Sequence, residues 1–137
     1  MSRRTEQRRA AVFALYQNDV TGRELDDLFE RDASTFTRAL AYAAQDYVED
    51  LDGRIERHAH GWTLDRIAPL ERAIMRIALL EIVHPDAAPG DVPIPPEGAI
   101  SEAVETAKRF CGAEAPGFVN GILAAALREM GENGAYR

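Results

Sequence analysis

"APLERAIMRIALLEIV", residues 68–83, decides how this chain is read. Leu70, Ala73, Ile74, Ile77 and Ala78 recur at steps of three and four, which puts them on one face of a helix and excludes a two-residue strand pattern. Pro69 suits the first helical turn, where its missing N–H leaves no bond unmade, and Pro85 closes the segment. Arg76 and Glu81 interrupt the apolar run "AIMRIALLEIV", leaving it too short and too charged to span a bilayer. Both are expected to pair with residues on other helices, whereas Glu71 and Arg72 fit an exposed face.

Outward from this helix the same periodicity continues. Upstream, Ala11, Val12, Leu15 and Tyr16 form the stripe of a first helix from about Thr5 to Asn18, ended by Thr21-Gly22. Leu25, Leu28 and Phe29 mark a short helix around Glu24 to Glu30. Ser34 reads as the N-cap of one long helix with the stripe Phe36, Leu40, Ala43, Tyr47, Leu51 and Ile55, stopped by Gly61. Downstream, "PDAAPGDVPIPPEG" (85–98) holds five of the seven prolines and is expected to be a surface loop within one domain. A fifth helix, about Glu97 to Phe110, carries Ile100, Ala103, Val104 and Ala107, with Gly112 as its stop. A sixth, from Pro116 to Met130, carries Phe118, Val119, Ile122, Leu123, Ala126 and Leu127. The expected architecture is an all-α compact bundle of about six to seven helices, one domain over 1–130, with a disordered tail at 131–137.

Composition agrees with a soluble globular chain of 137 residues: 46% hydrophobic and 28% charged. The single cysteine, Cys111, allows no internal disulfide, and no apolar signal segment follows the N-terminus, so a cytoplasmic location is expected, with no membrane attachment. Cys111 stands at a helix end with no histidine near it in sequence and reads as a small hydrophobe. His58 and His60 point about 200° apart on a helix and cannot share a metal. Glu56 and His60, one turn apart, are a weak ligand pair, and no glycine-rich phosphate loop or H-E-x-x-H occurs. Asp26-Asp27 and Glu49-Asp50 read as solvated helix faces. No catalysis, metal or cofactor is expected.

Charge distribution is more informative. The formal net charge is −7, yet "MSRRTEQRRA" carries +3, so the remainder carries −10. Such a cluster is held against Coulomb repulsion where an anion meets it. Arg4 and Arg8 share a helix face if the first helix reaches back that far, and Arg9 lies two turns before Tyr16. Guanidinium groups beside an aromatic suit RNA, because they bind phosphates in pairs of hydrogen bonds and stack on bases. Near the other end, "GFVNGILAAAL" places Asn120-Gly121 inside a helical apolar pattern, where glycine costs about 1 kcal/mol relative to alanine. Two readings stand side by side: helices packing closely against Gly121 with Asn120 a buried amide, or Phe118 and Asn120 presenting a ring and an amide to a base.

Four blocks in order, "RRAAVFALYQND", "LERAIMRIALLEI", "AISEAVETAKRFCG" and "FVNGIL", make the chain similar to the NusB family of bacterial transcription antitermination factors over nearly its whole length. The resemblance implies two three-helix subdomains and no catalysis. It implies binding of the boxA element of ribosomal RNA leader transcripts together with NusE, a small-subunit ribosomal protein, within the RNA polymerase antitermination complex. Position by position, it implies RNA contact at Arg4, Arg8, Arg9, Lys108, Phe118 and Asn120. It implies NusE contact at Tyr16, Asp65 and Glu71. The chain departs from the family pattern at "EAPG" (114–117), which lacks the charge or amide common before the phenylalanine, and in its fuller proline-rich loop. The alternatives are a helical protein–protein adaptor or homodimer that masks the arginine edge, and an accessory domain of a ribosomal RNA methyltransferase system. The latter is expected to bring a cofactor-binding α/β domain, and no strand-rich segment is read up to Arg137.

Overall fold

A computed structural model describes residues 3–88, 90 and 92–132. Among them are six α-helices and no strand: α1 Arg3–Thr21, α2 Thr35–Asp46, α3 Val48–His58, α4 Pro69–Val83, α5 Pro96–Phe110 and α6 Ala115–Glu132. Single 3-10 turns lie at Leu25–Asp27, Leu64–Arg66 and Pro85–Ala87.

The helix at 69–83 is the centre of the molecule. Its expected stripe is only part of what it buries: Met75, Leu79, Leu80, Glu81 and Ile82 are also inside. A helix apolar nearly all round needs neighbours all round, and α4 packs against each of the other five helices. The core runs continuously from Ala11 and Leu15 of α1, through Leu40, Leu51 and Ile55, to Val119 and Leu123 of α6.

Arg76 and Glu81, the charges inside that helix, do pair with other helices. Arg76 donates from Nε and Nη2 to the Asp52 carboxylate of α3 at 2.7 and 2.9 Å. Arg72 donates from Nη2 to Asp19 of α1 at 2.8 Å, and from Nη1 to the Leu64 carbonyl at 3.0 Å.

Several local expectations are revised. The single helix from Ser34 to Gly61 is two helices broken at Tyr47, whose φ and ψ are −101° and 15°. Ala43, Tyr47, Leu51 and Ile55 advance in steps of four, and each step turns the stripe by about 40°, so a straight helix carries it about 120° off the core. The break restores Leu51 and Ile55 to the interior and leaves Tyr47, expected inside, 41% exposed and stacked on His84 with ring centroids 3.8 Å apart. Ser34 caps α2 as expected, its hydroxyl accepting from the Thr37 N–H at 3.0 Å. Gly22 follows α1 at φ 75°, and its N–H reaches the Asn18 carbonyl at 2.9 Å, the left-handed stop that glycine adopts without strain.

The segment at 24–30 contains only one 3-10 turn, and α1 runs at both ends beyond the expected 5–18. Pro96 is already in α5, one residue earlier than expected, because proline at the first turn forfeits no hydrogen bond. α6 continues through Gly131 to Glu132, so these two residues belong to the helix and not to the tail. Residues 133–137 of the expected tail lie outside the described residues.

Candidate nucleic-acid and partner interfaces

Because α1 begins at Arg3, Arg4 and Arg8 stand one turn apart on one face. Their surroundings differ. Arg4 is exposed, its guanidinium lies 3.9 Å above the Phe36 ring, and Nη1 donates to Gln7 Oε1 at 3.0 Å. It edges a cleft of about 690 Å³ lined also by Phe36, Arg8, Glu81 and the proline-rich segment around Ile94.

Arg8 is turned inward. Nε and Nη2 donate to the two Glu81 oxygens at 2.7 and 3.0 Å, and Nη1 reaches Glu102 Oε1 at 3.4 Å. Only 14% of the Arg8 side chain and 8% of Glu81 remain exposed. Burial works to lower the Arg8 pKa, but the hydrogen bond and charge of Glu81, assisted by Glu102, outweigh it and hold the group above its ordinary value. Arg8 therefore fastens α1 to α4 and α5.

Arg9 points to the other flank. Its Nε donates to Thr106 Oγ1 of α5 at 3.3 Å, and its guanidinium lies 5.7 Å from the Phe110 ring centroid. Arg109 approaches the same ring to 5.5 Å, while Phe13 meets it edge-on at 5.1 Å. Phe110 is nevertheless 42% exposed. Lys108, two residues earlier on α5 and so turned about 200° from Phe110, projects into solvent, with Glu105 Oε1 at 3.9 Å. Arg109 and Phe110 escaped the sequence reading, since each alone looks like the polar end of a helix. The signal lay in "KRF" closing a helix whose neighbour carries Arg9.

The sequence coupled Phe118 and Asn120, and the structure separates them. Two residues apart on α6, they point about 200° from each other. Asn120 is exposed along a groove between α5 and α6, with Ser101, Val104 and Glu105 opposite. Phe118 is half-buried on the other side, meeting Trp62 edge-on with centroids 6.3 Å apart. The close-packing reading of "NG" also falls: Asn120 is not buried, and a Cβ placed on Gly121 would meet nothing within 4 Å.

Of the residues implied in partner contact, Glu71 opens onto the pocket that Phe118 and Trp62 line. Burial pushes its carboxyl above the ordinary range. Asp65 is exposed in the turn Leu64–Arg66, and a hydrogen bond with Thr63, aided by nearby arginines, holds its carboxyl below the usual value. Tyr16 is half-buried against the core on α1. Trp62, half-exposed and adjacent to Glu71 and Phe118 in that pocket, was not singled out by sequence, where a lone tryptophan after Gly61 carries no periodic signal. Among the described residues no group of three His, Cys, Asp or Glu side chains could hold a metal, and no helix is long and apolar enough to cross a membrane.

Fold and surfaces together define a small all-helical binding protein with basic-aromatic clusters on one part of an acidic body. The NusB family model matches residues 5–128, and the chain belongs to the NusB family. It is 37% identical to the transcription antitermination protein NusB of Symbiobacterium thermophilum, covering 95% of this chain and 92% of that protein. It is 40% identical to its counterpart from Rubrobacter xylanophilus, covering 90% and 88%. The fold superposes on T. maritima NusB with a TM-score of 0.78 at 27% identity, covering 93% and 92% of the two chains. A crystal structure of antitermination factors NusB and NusE in complex with double-stranded RNA matches with a TM-score of 0.78 at 26% identity, covering 94% of this chain and 99% of that one.

Proposed function

We propose that the chain acts, without catalysis of its own, as a cytoplasmic transcription antitermination factor, one RNA-binding domain that holds boxA RNA together with NusE in the RNA polymerase antitermination complex. The observation that carries this reading is the juxtaposition of the α1 arginines with the "KRF" end of α5. Here Arg9 and Arg109 meet at an exposed phenylalanine in a chain of net charge −7. Cations there meet phosphates, and Phe110 offers a base a stacking surface. Arg4 and Asn120 extend the RNA track on either side, while Arg8 positions α1 for it. The similarity to a NusB–NusE–RNA assembly supports the choice of partner, and the acidic body favours a basic protein.

Fluorescence anisotropy of a labelled boxA RNA tests the reading. Binding tighter than to a scrambled RNA, and tighter again with NusE, is expected. Equal affinity for both RNAs in either condition refutes it.

A further inference from the structure

The segment "VPIPP", residues 92–96, is used by neither the RNA track nor the NusE reading above. Its conformation is set locally. Each proline holds its own φ at about −65°. Proline also disfavours the helical region in the residue before it, which here means Val92, Ile94 and Pro95. Residues 92–95 accordingly lie outside any helix, and Pro95 stands at φ −59° and ψ 148°, in the polyproline II region. Pro96 then opens α5 in the first-turn position that suits proline.

A polyproline II strand has about three residues per turn, so every third side chain lines one edge. Ile94 forms the edge turned inward: it is half-buried and packs beside Ile82, Ala99 and Met130. Gly98 lets it seat there, since a Cβ at that position would come within 3.1 Å of Ile94 Cγ1. Val92 and Pro95 share a second edge, and Pro93 begins the third. All three are exposed, and Val92, at 83%, is the most exposed large hydrophobic side chain among the described residues. An apolar ridge is therefore pinned along one edge and open along the other two. The Val92, Pro93 and Ile94 carbonyls accept no hydrogen bond among the described residues, and the prolines have no N–H to donate.

We propose that residues 92–96 are a docking ridge for a protein module with an aromatic-lined groove, of the kind that receives proline-rich segments. Such a groove holds apolar edges between ring faces and offers indole N–H or phenol O–H donors to the free carbonyls. A ridge already in its bound conformation forfeits little chain entropy on docking. Its flanks are acidic, Asp86 and Glu97, both exposed, so the matching groove has a basic rim. A nucleic acid fits less well, since the ridge bears no cation and those acids repel phosphate. The ridge forms one bank of the cleft whose other bank is Arg4 on Phe36, which seats the module beside the RNA track. Docking there does not depend on NusE.

A photo-cross-linker, p-benzoylphenylalanine, placed at Val92 of the full chain keeps an apolar side chain on the ridge and marks what touches it. The labelled protein is irradiated in an extract of the host bacterium, and mass spectrometry locates the adducts. One protein adduct is expected, attached beside at least two aromatic residues and unaffected by ribonuclease. Unlabelled wild-type chain is expected to suppress it, and the double variant Pro93→Ala, Pro95→Ala to need about tenfold more, because freedom is returned to the unbound ridge. Val92→Ser alters a side chain that lies outside the core and is also expected to compete more weakly than wild type. Circular-dichroism melts of both competitors are expected to match wild type. Both variants competing as well as wild type, an adduct on a surface without aromatic residues, or no adduct at all overturns the ridge. An adduct to RNA, or weaker boxA RNA binding by both variants, assigns the segment to nucleic acid and overturns it too. The RNA and NusE reading is scored separately by the boxA anisotropy of wild type and stands or falls without the cross-link.

Discussion

Arg8→Met is the most informative single change. The arginine is held by both oxygens of Glu81 at 2.7 and 3.0 Å, with 14% and 8% of the two side chains exposed. Removing one member of such a pair strands a charge in a poorly solvated site, at a cost of about 3–5 kcal/mol. Total stability of a domain is about 5–15 kcal/mol, so the loss is a large fraction of it. Glu102 loses its arginine as well but keeps the Thr5 hydroxyl, which donates to it at 2.7 Å, so Glu81 carries most of the penalty. The double variant Arg8→Met, Glu81→Leu leaves no buried charge at that pair and is expected within about 1 kcal/mol of wild type, or more stable. Urea unfolding followed by circular dichroism at pH 7 measures all the corners of the cycle, including Glu81→Leu. Arg8→Met within about 1 kcal/mol of wild type, or a double variant as unstable as the single, refutes the assignment of Arg8 as a fastening between helices. The consequence for RNA work is direct: a weakened complex in an Arg8 variant reports folding as well as phosphate contact.

Phosphate contact is better read from Arg4 and Arg9. Neutralising three or four phosphates gives a slope of log K against log salt of roughly −2 to −3, and Arg4→Ala with Arg9→Ala is expected to flatten it by about 1.4. An unchanged slope in a salt titration removes both from the RNA surface. Gly121→Ala meets no atom within 4 Å in mid-helix and is expected to raise stability by about 1 kcal/mol; destabilisation in urea would mean that the glycine is needed for packing after all. Glu129 is lowered from 4.5 to about 2, chiefly by the hydrogen bond from Arg57. A depressed acid contributes stability that is fully present above its unfolded value and lost as pH falls through the folded one. Melting temperatures should therefore fall between pH 4.5 and about 2 in wild type, and Arg57→Leu, which removes the main cause of the depression, should make that fall smaller; identical profiles count against the pair.

The helices and most of their inward faces were legible in the amino-acid order alone, because helical periodicity, proline at first turns and glycine stops are local effects over a few residues. Ser34, Gly22 and the stripe at 69–83 could be read with no knowledge of the rest of the chain. The same order also located the arginine cluster and, through the four ordered blocks, the family. Tertiary structure decided everything that depends on which helix faces which. It broke the helix at Tyr47, since only packing can choose between a drifting stripe and a turned one. It drew Arg8 inward to Glu81, 73 residues away in sequence, while leaving Arg4 on Phe36 at the surface. It gathered Arg9, Arg109 and Phe110 from two helices into one cluster, and it divided Phe118 from Asn120, giving the first to Trp62 and Glu71. Charge partners and exposure are long-range quantities, fixed by the packing of five helices around α4, and no local pattern of residues encodes them.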